Sequence, residues 1–181
     1  MTVREVETPA VESAAQGRAE QINREIKRIQ NFRHPEIDTE VWFVALGAEL
    51  CGNSGMQAFV AEHREDLKGS IVINLEGLGA GKLTYIDHEG LLKPMKSSAR
   101  MKRFLRNASQ QSGVSFGTEA MCARTTPAYV AFQHGLQSMT LAGMKDGEPA
   151  FFGSMDDTME IIDESALRRN ASFVLALLKS I

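Results

Sequence analysis

Two carboxylates stand where an open α/β sheet does its chemistry. Glu49 follows the apolar run Val41-Trp42-Phe43-Val44-Ala45-Leu46, and Glu76 ends a second run, Ile71-Val72-Ile73-Asn74-Leu75. Ligands in such sheets bind beyond the carboxyl ends of the strands, so the two acids converge on one crevice if the runs are neighbouring strands. Paired acids there bind a metal or divide acid and base roles. Each could equally cap a helix amino terminus or satisfy loop backbone. Position alone leaves both readings open. Cys51, beside the same crevice, could act as a nucleophile with His134 as its base. Nothing in the sequence brings that pair together, and thiol reactivity needs an electropositive setting. Small buried structural thiols are the expectation for Cys51 and Cys122, the only two cysteines.

Gly77-Leu78-Gly79-Ala80-Gly81 has the glycine density of a phosphate-binding loop. A dinucleotide fingerprint needs a helix directly after its glycines, whereas Lys82-Leu83-Thr84-Tyr85-Ile86 reads as a strand. A turn or hairpin is expected. Lys93, Lys96, Arg100, Lys102, Arg103 and Arg106 form a basic stretch whose simplest reading is a solvated helix face. His34, His63 and His88 have no second histidine or cysteine at metal-ligand spacing and read as exposed polar residues.

The elements that must position these residues alternate in type. Thr8-Pro9 starts a helix whose Ala15, Ala19, Ile22, Ile26 and Ile29 share one face, and His34-Pro35 ends it. The runs at 41–46 and 71–75 lack alternation and read as strands buried on both faces. A helix from about 55 to 66, with Met56, Phe59 and Val60 inward, joins them into a βαβ unit. A strand at 82–86 and an amphipathic helix from about 96 to 110 follow, the helix burying Met101, Leu105 and Ala108. Strands at 114–116 and 138–141 flank a helix near 128–134. The last helix places Leu167, Ala171, Val174, Leu178 and Ile181 on one face. This order predicts helices on both faces of a mainly parallel sheet.

Composition sets the outer bounds. The 181 residues fit one domain, taken as 1–181, since domains cluster near roughly 100–150 residues. Hydrophobic residues at 43% and charged residues at 24% suit a globular core. A net charge of −3 gives no pull toward nucleic acid or anionic membrane, so neither is an expected partner. No apolar run approaches the roughly 18–20 residues that span a bilayer. Met1-Thr2-Val3-Arg4-Glu5 lacks the apolar core of a signal peptide, which makes a cytoplasmic location the expectation.

Val44-Ala45-Leu46-Gly47-Ala48-Glu49-Leu50-Cys51-Gly52-Asn53-Ser54-Gly55 resembles the signature of the M28 zinc exopeptidases, a strand followed by Gly-Ala-Glu-Glu-x-Gly-x-x-Gly. Three further stretches match in order. Asn74-Leu75-Glu76-Gly77-Leu78-Gly79 is similar to the family's Asn-Leu-Asp-Met-hydrophobic-Gly. Thr126-Pro127-Ala128 with Gly135-Leu136 resembles its Thr-Asp-Ala and Gly-Ile-Pro region. Gly153-Ser154-Met155-Asp156-Asp157-Thr158 with Ile162-Asp163 resembles its His-Thr-x-x-Asp-Thr and Ile-Asp ending. The resemblance implies a three-layer αβα fold of zinc-exopeptidase (phosphorylase/hydrolase-like) type, with helices on both faces of the central sheet.

The resemblance also implies roles, and several are lost. Glu49 keeps the general base, but Leu50 stands for the second Glu, a zinc ligand. Glu76 replaces the ligand Asp, Gly153 the ligand His, and Pro127 the Asp of Thr-Asp-Ala. The family's upstream His has no counterpart and Glu12 is the candidate for its bridging Asp, so the domain is expected to lack the family's first strands. A catalytic zinc needs three protein ligands and an open position. The expected site is thus a pocket of Glu49, Cys51, Glu76, Pro127, Gly153 and Asp157 with Glu49 a vestigial base, Glu76 the one remaining ligand, and no zinc. The expected function is a degenerate aminopeptidase-like domain that binds or assembles. The rival is a metallopeptidase with an altered site or one completed by other segments. Partners expected are a peptide or protein ligand and a second copy of the chain, the copies joined where the strand at 41–46 leaves a sheet edge unpaired.

Overall fold

The computed structural model describes residues 40–90, 94–96, 98–122, 124–150, 155 and 158–181. The chain divides into two compact units, Met1–Val44 and Ala45–Ile181. Of the first unit only residues 40–44 are described, so the helix expected around 15–29, together with Glu12 and His34, lies outside the described residues.

Among the described residues six strands make one sheet: β1 (Ile71–Glu76), β2 (Lys82–Glu89), β3 (Met95–Lys96), β4 (Gly117–Met121), β5 (Gln137–Lys145) and β6 (Glu148–Pro149). The order is β1-β5-β2-β3, with β4 paired to β2 and β6 to β5. β5 runs parallel to β1 and antiparallel to β2, while β4 runs parallel to β2. The sheet is therefore mixed rather than mainly parallel. The described residues also form four α-helices, in chain order α1 (Ser54–Glu62), α2 (Ala99–Ser112), α3 (Pro127–Gln133) and α4 (Glu164–Ser180).

Alternate residues of the central strands face opposite layers, as period-two geometry requires. Leu83, Tyr85, Met139 and Leu141 pack with Met101, Phe104, Leu105 and Ala108 of α2 and Phe173, Ala176 and Leu177 of α4. On the other face Val72 packs against the cluster of Met56 and Val60 from α1 with Val130 and Ala131 from α3. The three-layer αβα arrangement follows. Each fully buried leucine here contributes about 1.5–3 kcal/mol. α2 carries clear stop and start signals: Ser98 Oγ accepts from Met101 N at 3.2 Å, and Gly113 closes the helix at φ 70°. Among the described residues no helix is long and apolar enough to cross a membrane.

Several expectations change. Residues 41–46 form no strand, and Trp42, Phe43 and Val44 are exposed. An apolar run becomes a strand only when a neighbouring backbone bonds it, and no described strand pairs with this one. The strand placed at 114–116 lies at 117–121, while Val114 and Phe116 pack onto the α2–α4 core as loop residues. In α4 the buried face is Ala166, Asn170, Phe173, Ala176 and Leu177, about one residue off the expected stripe, and Leu167 is 41% exposed. Asn170 explains part of the offset: its Nδ2 donates to Leu78 O at 2.8 Å, tying α4 to the loop after β1. Cys51 and Cys122 are both exposed, not buried.

The glycine cluster is a turn that leads into a strand, and it is not a hairpin, because β5 lies between β1 and β2. The chain must pass over β5 to reach β2. A Cβ on Gly143 of β5 would sit 1.8 Å from Ala80 O and 2.2 Å from Gly77 O, so the crossing demands glycine there. One unanticipated hairpin joins β5 to β6, with Asp146 and Gly147 at φ 54° and 82°. That is the Asp-Gly pattern of a tight two-residue turn.

Candidate functional site

The site is built from three short segments of the second unit. β1 sends Val72, Asn74 and Glu76 to one face, the first of them packed on the α1–α3 side. The side chains turn polar as the strand ends, which places a carboxylate at its carboxyl terminus. The second segment is the bend from Gly47 to Asn53. It holds Ala48 and Asn53 at φ 56° and 57°, on either side of a 3-10 turn at Glu49–Cys51. A left-handed alanine costs roughly 1–2 kcal/mol, and such strain clusters at functional loops. Gly55 is required here, since a Cβ on it would lie 2.3 Å from Gly47 O. The third segment is residues 124–127, leading into α3 with Thr126 as N-cap and Pro127 at its first turn.

These segments enclose a crevice of about 430 Å³ lined by Glu49, Leu50, Asn74, Glu76, Arg124 and Pro127, among others. Glu49, Glu76 and Pro127 are thus brought together as the sequence suggested, although the two acids meet through a bend and a strand end rather than through two neighbouring strands. Leu50 is 76% exposed. Cys51 does not line the crevice, and His134 lines a different cavity of about 260 Å³ with Arg64 and Lys68, so no thiol–imidazole pair forms. Gly153 and Asp157 lie outside the described residues. His63 and His88 sit beside Asp66 and Asp87 at 3.5 and 2.7 Å, as partly exposed polar residues. Arg100 and Arg103 are exposed on α2, with their guanidinium groups over the ring of the buried Phe104.

Arg124 is the residue the sequence did not single out. Its Nη2 donates to Glu76 Oε1 and forms an ion pair, with the two side chains only 22% and 14% exposed. Burial pushes the Glu76 carboxyl above the ordinary carboxylate range. The guanidinium pulls it back, Glu49 adds to the rise, and Asn74 lies close enough to lower it. Glu76 Oε2 and Asn74 Nδ2 are buried without a hydrogen bond of good geometry among the described residues. Glu49 reaches the crevice with no ion-pair partner among the described residues.

The segment bearing Arg124 is pinned from two sides. Asn53 Nδ2 donates to Thr125 O at 3.0 Å, and Asn53 is buried. From below, Glu89 accepts a hydrogen bond from Thr126 N. The hydroxyls of Thr126 and Thr140 lie 3.1 and 3.4 Å from Glu89 Oε2 and 2.8 Å from each other. Glu89 is fully buried, and burial drives its carboxyl pKa upward against these donors. The sequence reading missed it by ending β2 at Ile86, three residues short.

Tested against zinc, the described donor set does not fit. Glu76 spends one oxygen on Arg124, Leu50 is apolar, and no three of His, Cys, Asp and Glu converge among the described residues. A guanidinium already stands where a cation would meet Glu76.

The fold is shared with solved aminopeptidases. A zinc aminopeptidase from Bacillus subtilis superposes with a TM-score of 0.56 at 19% identity, covering 74% of this chain and 34% of that one. An aminopeptidase from Aneurinibacillus sp. strain AM-1 superposes with a TM-score of 0.52 at 17% identity, covering 74% of this chain and 31% of that one. The chain therefore spans about a third of the length of these solved relatives. No curated protein matches the sequence. A sequence model of peptidase family M28 matches residues 20–178. With that match spanning most of its length, the chain belongs to peptidase family M28.

Proposed function

We propose that this M28 domain is catalytically degenerate and serves as a binding or assembly module, its crevice taking a peptide or protein ligand without cleaving it. The observation that carries the reading is Leu50, an apolar side chain exposed in the crevice directly beside Glu49. The family resemblance puts a second carboxylate there. A catalytic zinc in such a site polarises the scissile carbonyl and activates water. A leucine supplies neither a ligand nor a charge.

Glu49 supports the second reading, a metallopeptidase with an altered or externally completed site, because it keeps the base identity and lines the crevice. Turnover of amino-acid anilides separates the two. The degenerate reading expects none, with or without added zinc. Hydrolysis abolished both by a chelator and by Glu49→Gln moves the assignment to the second reading.

The same proposal includes self-association. The edge expected at residues 41–46 is not a strand, so the proposal rests instead on β1, which among the described residues is bonded on one edge only, to β5, and exposes Leu75. Unpaired strand edges recruit further chains. Light scattering across a concentration series is expected to show a mass above the monomer. A monomer at every concentration removes the assembly half of the proposal.

A further inference from the structure

We infer that Arg124 is the built-in cation of the crevice, neutralising Glu76 and thereby excluding metal from it. This rests on the degenerate reading of the site, but it concerns a different residue and has its own test.

Three observations converge. First, the guanidinium is bonded to Glu76, the carboxylate that ends β1 inside the crevice. Second, the pair is mostly buried, where charges must be matched to be tolerated. Third, Arg124 is not a wandering surface side chain. The backbone that carries it is held at Thr125 by the buried amide of Asn53 and at Thr126 by the buried carboxylate of Glu89. Two buried side chains thus fix the segment from which the guanidinium projects.

The physical consequence is a switch of selectivity. A divalent cation approaching Glu76 meets a fixed positive charge within a few ångströms and must displace it. With Arg124 removed, Glu49 and Glu76 are left as two carboxylates around a polar pocket, a donor set suited to a hard, oxygen-seeking ion.

Mn2+ is the probe, because it favours carboxylates and avoids the exposed thiols. Line broadening is read at the methyl groups of Leu50 and Leu75, which line the crevice. Wild type at sub-stoichiometric Mn2+ is expected to show no broadening there. Arg124→Gln is expected to broaden both residues and to bind Mn2+ on the order of tenfold tighter or more, since one unit charge at such range is worth at least that factor at protein-like dielectric. The gain should vanish in Glu76→Gln/Arg124→Gln. Equal binding by wild type and Arg124→Gln overturns the inference, as does a gain that survives the loss of Glu76. If Arg124→Gln does not fold, two measurements remain. Arg124→Lys keeps a cation and should stay blind to Mn2+, and broadening at Leu75 in wild type overturns the inference by itself. Crevice binding of Mn2+ by a wild type that hydrolyses nothing sinks this inference alone. Hydrolysis by a wild type blind to Mn2+ sinks the degenerate reading alone.

Discussion

Glu76 and Glu89 are two buried carboxylates in one molecule, and the fold treats them differently. Glu89 is fully enclosed and surrounded by donors: a backbone N–H and two threonine hydroxyls. Glu76 sits at a crevice with one oxygen on Arg124 and the other without a well-formed bond. The first is an interior strut between β2, β5 and the start of α3. The second has the incomplete bonding of a group that faces a crevice. The difference separates a carboxylate satisfied inside the fold from one left partly unsatisfied at a crevice, and both can be perturbed.

The largest effect is expected at the strut. Glu89→Ala leaves a buried N–H and two hydroxyls without their acceptor and should cost about 3 kcal/mol in urea denaturation. Glu89→Gln keeps one acceptor oxygen and should cost about 1–2 kcal/mol. If Glu89→Ala is nearly neutral, the strut is not one.

Arg124→Gln should cost about 2 kcal/mol, less than a wholly buried pair because both partners keep some exposure. Part of that loss should return in Glu76→Gln/Arg124→Gln, because the double change leaves no orphaned charge. A strictly additive double-mutant cycle would mean that the two side chains do not support each other.

What could be read in advance depended on whether the signal was local. α2 announces itself through the spacing of Met101, Leu105 and Ala108, while its bounds, set by the caps Ser98 and Gly113, lie two to three residues from those expected. Glu76 was legible as a strand-end acid, whereas Glu49 was placed after a strand that does not form, and the M28 signature around Gly47–Gly55 pointed to the fold type. The strand order was not legible. Nothing local to Lys82–Glu89 says that β5 will insert beside it in antiparallel sense, carrying Thr140 to Glu89. The apolar run at 41–46 has a strand's composition, yet composition cannot supply a bonding neighbour. Arg124 carries no motif. Its only signal is to be a cation just upstream of Thr126-Pro127, where the family resemblance has a lost carboxylate at Pro127.

The pH dependence of stability sharpens the comparison further. Burial raises Glu89 above its ordinary value of 4.5, so between 4.5 and the folded value the native state holds a proton that the unfolded chain has released. Stability is therefore full below that window and is lost as pH rises through the folded pKa. Glu76, also raised, acts in the same direction. Glu89→Gln should flatten the fall, and an unchanged profile would show that Glu89 does not titrate in that window. The smallest effect belongs to Leu50: its exposure limits Leu50→Ala to within about 0.5 kcal/mol. A larger loss would mean that this leucine packs against something in the folded protein.

The most direct test of the account is the zinc content of the chain after refolding with zinc present and dialysis against a weak chelator. The account predicts far less than one zinc per chain, unchanged in Glu76→Gln. About one tightly held zinc per chain, lost in Glu76→Gln, would contradict it and return the crevice to the metallopeptidases.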